Sequence, residues 1–565
     1  MASSAYFTEL WMNPCPYAAL LYPWHELWYK SKTTFRLKGQ QVMALQVLIV
    51  GAGISGLAAL KQCLADDIAP TVFDALPHIG GQWHYSKPTS TSNLVVSSIY
   101  DGVVINSCRD TTAFSDFPID PARYPQYFSH RKFLQYIHEY TDYFGLRKYI
   151  RLNTKVLKAI QVDDGKWEVT YQENDKEPTT KTFDALFACT GTNSKPRIPE
   201  FIALETFQGQ FFHSHYYRTP APYEGKKVAV IGIGSSAVDI SSEIAPFADE
   251  FHLITRRGGW VIPRFVFGKP VEAFNSRIET VIPPAIADWI QQKILNIAIG
   301  QHPKVIKPKH KILEASPTVH SNFLEKVRVG QIKPHRAGVD RFTEDGVILT
   351  DGTKLAVDVV ISCTGYLLDF PYLPQDSFHA AQSKFMQSDK SLNLYQMIVP
   401  PNYQNLFFLG ILESDSALAP CVELQARWAT AILTGKLTLP RPEKMSEEIA
   451  ARQVSMSKHF VRSDRHAIMI HGMQYNDDLA SQLEAAPTFG RLLSNIFKSN
   501  PIRAISLMKA IYFDMPSAAQ YRLFGHGGLP ELGSATVLRV ANEGEELSLE
   551  EKEALEALSS SRIKA

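Results

Sequence analysis

Short apolar runs that end in glycine give the chain its punctuation. In "QVLIVGAGISGLAALKQCL", Val47 to Val50 read as a buried strand running into Gly51, Gly53 and Gly56 and then a helix. Downstream, "PTVFDA" predicts a second strand that delivers Asp74, 23 residues after Gly51. The pattern recurs in "KKVAVIGIGSSAVDISSEI", with Val228 to Ile231 as strand and Gly232, Gly234 and Ala237 at the turn. Counting the same distance forward reaches Thr255, Arg256 and Arg257 in "HLITRRGGW". Two further apolar strands, in "FDALFACTGTNSKPRIP" and "VDVVISCTGYLLDFPYLP", each begin at an acid (Asp184, Asp358) and end in Cys-Thr-Gly.

These elements predict an α/β chain with two dinucleotide-binding, Rossmann-like domains, the second inserted into the first. A G-x-G-x-x-G turn lets backbone N–H groups approach a pyrophosphate at a helix N-terminus. A lone copy is weak, but each copy here stands between a strand and a helix. An acid at the end of the second strand binds a ribose hydroxyl, so Asp74 suits a dinucleotide with a free ribose. A carboxylate repels a 2′-phosphate, whereas guanidinium groups hold it through charge-assisted bonds, so Arg256 suits NADPH. The alternative for Arg256 and Arg257 is a solvated loop.

Composition narrows the partners. The 565 residues have 45% hydrophobic and 20% charged residues, room for roughly two to four domains and a large core. A net charge of +1 gives no electrostatic footprint for nucleic acid. Cys15, Cys63, Cys108, Cys189, Cys363 and Cys421 form no CxxC pair, which argues against a zinc site, a disulfide framework or a dithiol reductase. No metal site is expected, and the cysteines fit a reducing, cytoplasmic compartment. No run reaches the roughly eighteen apolar residues of a spanning helix. The first 42 residues crowd Trp11, Trp24 and Trp28 with Pro14, Pro16 and Pro23. They read either as a membrane-surface or partner segment or, preferably, as an extension upstream of Met43.

"FQGQFFHSHYYRTP", 207 to 220, is too aromatic for a linker and too polar for a buried strand. Its Phe207, Gly209, His213, Tyr217 and Arg218 fit F-x-G-x-x-x-H-x-x-x-[YF]-[KR], and the chain thereby resembles the flavin-containing monooxygenases. The likeness runs along nearly the whole chain after Met43. It includes "IGGQW" (79–83), "SSIYDGVVINSCRDTTAFSDFP" (97–118), "CTGY" (363–366), "VELQARWAT" (422–430) and "QYRLFGHG" (520–527). In the last, His526 replaces the family's proline. "LGILESDSALAP" departs further, since Glu413 and Asp415 enter where the family has a neutral turn, which puts the substrate pocket in doubt.

The resemblance implies FAD and NADPH as cofactors, O2 as co-substrate, and a C4a-hydroperoxyflavin that oxygenates a soft nitrogen or sulfur of a small molecule. FAD is expected on Gly51, Ala52, Gly53, Ile54, Ser55, Gly56, Asp74, Gly81, Gln82, Trp83, Asn106 and Ser107. NADPH is expected on Gly232, Gly234, Ser235, Ser236, Ala237, Val238, Asp239 and Arg256, with Gly365 where the second Cys-Thr-Gly strand passes a cofactor. By the same resemblance Asn106 is the catalytic candidate, bonding between the nicotinamide side and the peroxyflavin. The 207–220 signature is expected to shape the hinge; His213 as a catalytic base is the sharper alternative. Baeyer–Villiger oxidation of ketones is the competing activity, although that type carries Trp or Phe followed by Pro or Asp where Tyr217-Arg218 stand. A non-oxygenating flavoprotein binding module is the other alternative. Substrate identity and oligomeric state stay open.

The expected organisation is an extension (1–42), a first part of the FAD domain (43–205), an NADPH domain with a helical insertion (206–333), a second FAD part (334–440), a helical region (441–530) and a polar tail (531–565). The insertion carries "IPPAIADWIQQKILNIAIG", a helix whose Ile286, Trp289, Ile290, Ile294 and Ile297 stripe reads as core, with peripheral membrane contact as the alternative. In the tail, Ser548 and Glu551 predict a capped, solvated helix.

Overall fold

The structure, a computed structural model, describes residues 44–87, 97–373, 392–460, 468–496 and 500–563. The 1–42 extension and Met43 therefore lie outside the described residues. Ten strands build two five-stranded sheets: β1 (Gln46–Val50), β2 (Ala69–Phe73), β3 (Ile150–Arg151), β4 (Ala185–Ala188), β5 (Gln210–His213), β6 (Lys227–Ile231), β7 (Glu250–Ile254), β8 (Lys333–His335), β9 (Val359–Ser362) and β10 (Leu406–Phe408). The first sheet runs β10-β4-β1-β2-β3 and the second β8-β7-β6-β9-β5, every pairing parallel. Parallel strands need both faces covered, which explains why β1 and β6 are runs of apolar residues without alternation.

The sheets are repeats of one unit. Each has a glycine-turn strand at its centre (β1, β6), a helix after it, and a Cys-Thr-Gly strand beside it (β4, β9). The helices are α1 (Ile54–Ala65) and α3 (Ser235–Ile244), with α2 (His130–Tyr143) between them in the chain. A three-stranded antiparallel meander precedes each Cys-Thr-Gly strand, 154–183 before β4 and 339–356 before β9. Even the acid that opens the strand repeats its work. Gln46 N donates to Asp184 Oδ2 at 2.7 Å, and Lys227 N to Asp358 Oδ2 at 2.8 Å.

Two sequence expectations about organisation are corrected here. The boundary at 333/334 cuts through the second sheet. β8, the 339–356 meander and β9 all belong to it, because β9 pairs with β6 in the register Val228↔Val359. The chain returns to the first sheet only after Gly365, reaching it at β10. The 207–220 stretch, too polar for a buried strand, supplies the edge strand β5. Its exposed Gln210 and half-buried Phe211 and Phe212 are tolerable at a sheet edge, where one side lacks a neighbour.

The polar tail is the second. α4 (Pro530–Ala541) buries Leu532, Ala535, Val537 and Val540, and α5 (Leu549–Ile563) buries Glu551 completely. The predicted capping box is present, with Ser548 N to Glu551 Oε2 at 2.8 Å and Glu551 N to Ser548 Oγ at 3.2 Å. What sequence missed is Arg539, whose Nε lies 3.0 Å from both Glu551 oxygens while its Nη1 bonds Asp110 Oδ1. A carboxylate that neutralises a buried guanidinium is drawn inside rather than solvated.

The insertion helix Pro284–Ile299 also differs. Ile286, Trp289, Ile290 and Ile297 face outward at 36 to 72% exposure, while Ala287 and Leu295 pack inward. Among the described residues no helix is long and apolar enough to cross a membrane.

Candidate nucleotide and flavin site

Both glycine turns wedge against a Cys-Thr-Gly strand. Gly51 has φ +110°, and a Cβ there would lie 2.5 Å from the Cys189 carbonyl oxygen; Gly232 has φ +128° and meets Cys363 at the same 2.5 Å. At Gly56 a Cβ would sit 1.9 Å from the Gly51 carbonyl, so α1 packs directly on its own turn. Ala237 fills the equivalent place in the second turn and is fully buried. α1 and α3 start at Gly53 and Gly234 with no side-chain cap and no acid in the first turn. Their first N–H groups are therefore free of side-chain partners, the arrangement that receives phosphate.

A second turn closes on the first. Gly80 N donates to Ala52 O at 3.0 Å, and a Cβ on Gly81 would meet Gly53 Cα at 3.0 Å. Gln82 follows, bonded through Nε2 to Ser98 Oγ (3.0 Å). Trp83 stands edge-on to Phe133 at 4.5 Å, as a wall of the core. Ile54 and Ser55 are buried in the first turn of α1. The strand-end acid, Asp74, accepts from Ala52 N at 2.7 Å and Leu76 N at 2.8 Å. Burial raises its pKa against the pull of those two N–H groups.

The second half ends β7 at Arg256 and Arg257, both exposed, with Gly338 against the Arg256 stem. Arg336 joins them, donating from Nη2 to the Arg257 carbonyl at 2.7 Å. Sequence reading missed Arg336, since its place after β8 follows only from the sheet order. Ser235, Ser236 and Val238 lie along the start of α3 as expected. Asp239 does not present a nucleotide contact through its side chain. Its Oδ2 accepts from Tyr100 Oη at 2.6 Å, and burial lifts its pKa to about 6. A carboxylate aimed at phosphates would repel them, whereas here it ties α3 to the 97–108 segment.

Asn106 is exposed on a loop between buried Ile105 and Cys108, and Ser107 Oγ bonds Thr112 Oγ1 at 2.7 Å. Ile105 N donates to Phe128 O at 3.0 Å. Gly365 has φ +85° with open space around it. Immediately after the two Cys-Thr-Gly strands, Lys195–Pro196 and Tyr366–Leu367 pair antiparallel, so the two connections between the halves run past each other.

The signature stretch fits this junction. A Cβ at Gly209 would lie 2.4 Å from Asp358 O, and Tyr217 Oη donates to Glu243 Oε2 at 2.7 Å. Arg218 is buried and donates to four carbonyls, those of Ser86, Ser97, His215 and Tyr217. His213 accepts at Nδ1 from His215 N, and burial depresses its pKa to about 4. A neutral imidazole with its basic nitrogen engaged is a poor general base, so the structural reading of the signature holds.

The departing loop also has a structural use. Glu413–Ser414 pairs with Met469–Ile470, and Asp415 accepts from Gly472 N at 2.7 Å beside His471 Nδ1 at 2.9 Å. Asp415 anchors the helix that begins at Gly472.

Comparison with known proteins agrees with this geometry. The profile of the family described as flavin-binding monooxygenase-like matches residues 44–542. Dimethylaniline monooxygenase (N-oxide-forming) 2 of Rattus norvegicus is 33% identical over 500 residues, 86% of this chain and 90% of the relative. Flavin-containing monooxygenase 5 of Homo sapiens is 33% identical over 478 residues, 82% and 86% of the two chains. Among solved structures, S-allyl-L-cysteine S-oxygenase from Allium sativum is similar with TM-score 0.59 and 25% identity, over 78% of this chain and 88% of that one. Cyclohexanone monooxygenase from Rhodococcus sp. Phi1 shares the fold with TM-score 0.57 at 16% identity, over 78% and 97%.

Proposed function

The chain belongs to the flavin-binding monooxygenase-like family and is a flavin-dependent monooxygenase, and on that footing we propose that it draws electrons from NADPH and oxygenates a soft nitrogen or sulfur atom of a small molecule. The observation that carries the reading is the duplicated turn. Both copies have a cradle that a Cβ would fill and an uncapped helix start, but the first ends β2 in Asp74 and the second ends β7 in Arg256 and Arg257, with Arg336 beside them. One half thus suits a ribose hydroxyl and the other a 2′-phosphate.

Gly51 to Gly56 and Gly81 would hold the FAD pyrophosphate side, and Gln82, Asn106 and Ser107 would face its ring. Gly232 to Val238 and the arginines would hold NADPH, with Gly365 at the junction. When bound, the flavin supplies the electron transfer from nicotinamide and the activation of O2. The protein's share is binding, orientation and exclusion of water. Asp74 keeps the first turn closed through its two N–H bonds. Arg218, by gathering four carbonyls, fixes the angle at which the halves meet. Asn106 offers an amide at the mouth.

Nitrogen and sulfur are favoured over ketones because the relatives at 25% identity and above include an N-oxide-forming and an S-oxygenating protein, whereas the ketone-named neighbour is similar in fold alone. A cytoplasmic location belongs to the same reading, since the six cysteines of the sequence form no CxxC pair or disulfide framework. The test is product analysis with NADPH in air against amines, thioethers and ketones. N- or S-oxides support the proposal. Lactone or ester products alone would move it to ketone oxidation, and hydrogen peroxide alone would overturn it.

A further inference from the structure

The insertion sends one hairpin back to the loop that carries Asn106. Arg264 Nη2 lies 3.5 Å from Asn106 Oδ1 and 3.4 Å from the Val104 carbonyl. Eight residues on, Glu272 Oε1 accepts from Cys108 N at 2.8 Å. Tyr127 Oη seals the arrangement, 2.7 Å from the Arg264 carbonyl and 2.5 Å from Glu272 Oε2. Two opposite charges from one hairpin therefore grip both ends of the 104–108 loop. A guanidinium has donors and no acceptor, so the amide face turned toward Arg264 is the oxygen. The two N–H donors of Asn106 then point away from it.

The same segment leads to the arginines of the second half. Arg256 and Arg264 bound a stretch pinned along its length. A Cβ on Gly258 would lie 2.2 Å from Ile306 O, and one on Gly259 would meet the Ile233 side chain of the nucleotide turn at 3.1 Å. Trp260 Nε1 donates to His310 O at 3.0 Å, and Val261 N to His302 Nε2 at 3.2 Å. A stretch so held moves as one piece. Arg264 Nε, moreover, is buried with no hydrogen-bond partner among the described residues, so its side chain is held by the contacts of Nη2 and by the Tyr127 ring beneath the guanidinium.

We propose that Arg264 is a positioning residue for the oxygenation: seated by the insertion, it sets the Asn106 amide with its oxygen inward and its N–H donors toward the bound cofactors. This rests on the reading of Asn106 as the residue that faces the flavin. It makes the insertion a part of the reaction centre, coupled through one rigid segment to the arginine expected at the 2′-phosphate.

The test compares holoenzyme carrying Arg264→Met, which keeps the stem and removes the donors, with Arg264→Lys, Asn106→Ala and the double variant. Three results are expected of Arg264→Met. Amide hydrogen exchange across 104–108 speeds up; oxygenated product per NADPH falls about tenfold with the remainder leaving as hydrogen peroxide; and the KM for NADPH stays within about twofold. Arg264→Lys, which keeps the charge and a donor but on a shorter side chain without the planar fork, recovers part of the loss. The double variant loses no more than Asn106→Ala alone, because the two act in series. Unchanged exchange in 104–108, additive losses in the double variant, or a rise in NADPH KM equal to the loss of product would each overturn the proposal. Failure of the parent reading looks different: Asn106→Ala then keeps its oxygenated product per NADPH, whatever the exchange shows.

Discussion

At the residue scale the decisive contrasts are between a hydrogen and a methyl, and between an acid and a base. Gly56 has no room for a Cβ, which would stand 1.9 Å from a backbone carbonyl that cannot move without opening the turn. Gly56→Ala is expected to cost about 2 kcal/mol or more and to release flavin, read as a lowered Tm and a lost visible absorbance on purification. Arg256 tests the second contrast. Its side chain is exposed, so Arg256→Ala leaves the Tm within about 1–2 °C. The KM for NADPH rises about tenfold or more, while the KM for NADH hardly changes, since NADH has no 2′-phosphate to lose. Equal effects on both nucleotides would remove Arg256 from the phosphate site.

At the element scale the C-terminal helices are the surprise. α5 is amphipathic in an unusual sense: its inward group is a carboxylate, matched to Arg539 and through it to Asp110, which also accepts from Arg109 Nη2 at 2.8 Å. The 109–112 turn follows directly on Cys108, so the C-terminus braces the segment that carries Asn106. Glu551→Ala leaves Arg539 buried with half its partners and is expected to cost about 3–5 kcal/mol in a denaturant titration. Ser548→Ala, which removes only the cap, costs about 1 kcal/mol. A tail that were solvated would show no such gap between the two. Helix pattern alone concealed this, because "EGEELSLEEKEALEAL" shows its acids but not the arginine that pulls one of them inside.

At the scale of the whole molecule, two acids on α3 sit where the halves meet. Glu243 accepts from Tyr217 and is close enough to Gly102 that a Cβ there would lie 1.9 Å from its Oε1; Asp239 accepts from Tyr100. Burial raises Glu243 to about 7 and Asp239 to about 6, against ordinary values of 4.5 and 3.8. An acid whose pKa is raised by folding holds its proton more tightly in the native state. Its stabilising share is therefore complete below the unfolded value and is lost as pH climbs through the folded one. Between about pH 4.5 and 7 the junction accordingly loosens as these acids ionise. Glu243→Gln keeps an acceptor for Tyr217 and removes the charge. Relative to wild type it is expected to be more stable by about 1–2 kcal/mol at pH 8, with the difference closing toward pH 5. A constant difference across that range would show that Glu243 does not titrate there.

The repeat itself was legible in the chain. Glycine sterics, strand and helix periods, and the acid or arginine that ends the second strand all act within about thirty residues, and such local rules survive whatever the rest of the chain does. They were enough to predict the two nucleotide folds and the cap at Ser548. Only the tertiary structure decided which sheet takes the second Cys-Thr-Gly strand, that the Ile286 to Ile297 stripe faces outward, and that Arg264 meets Asn106 across 158 residues of sequence. Those outcomes depend on which distant surface arrives first in packing range and on which buried charge finds its opposite. No spacing along the chain records either.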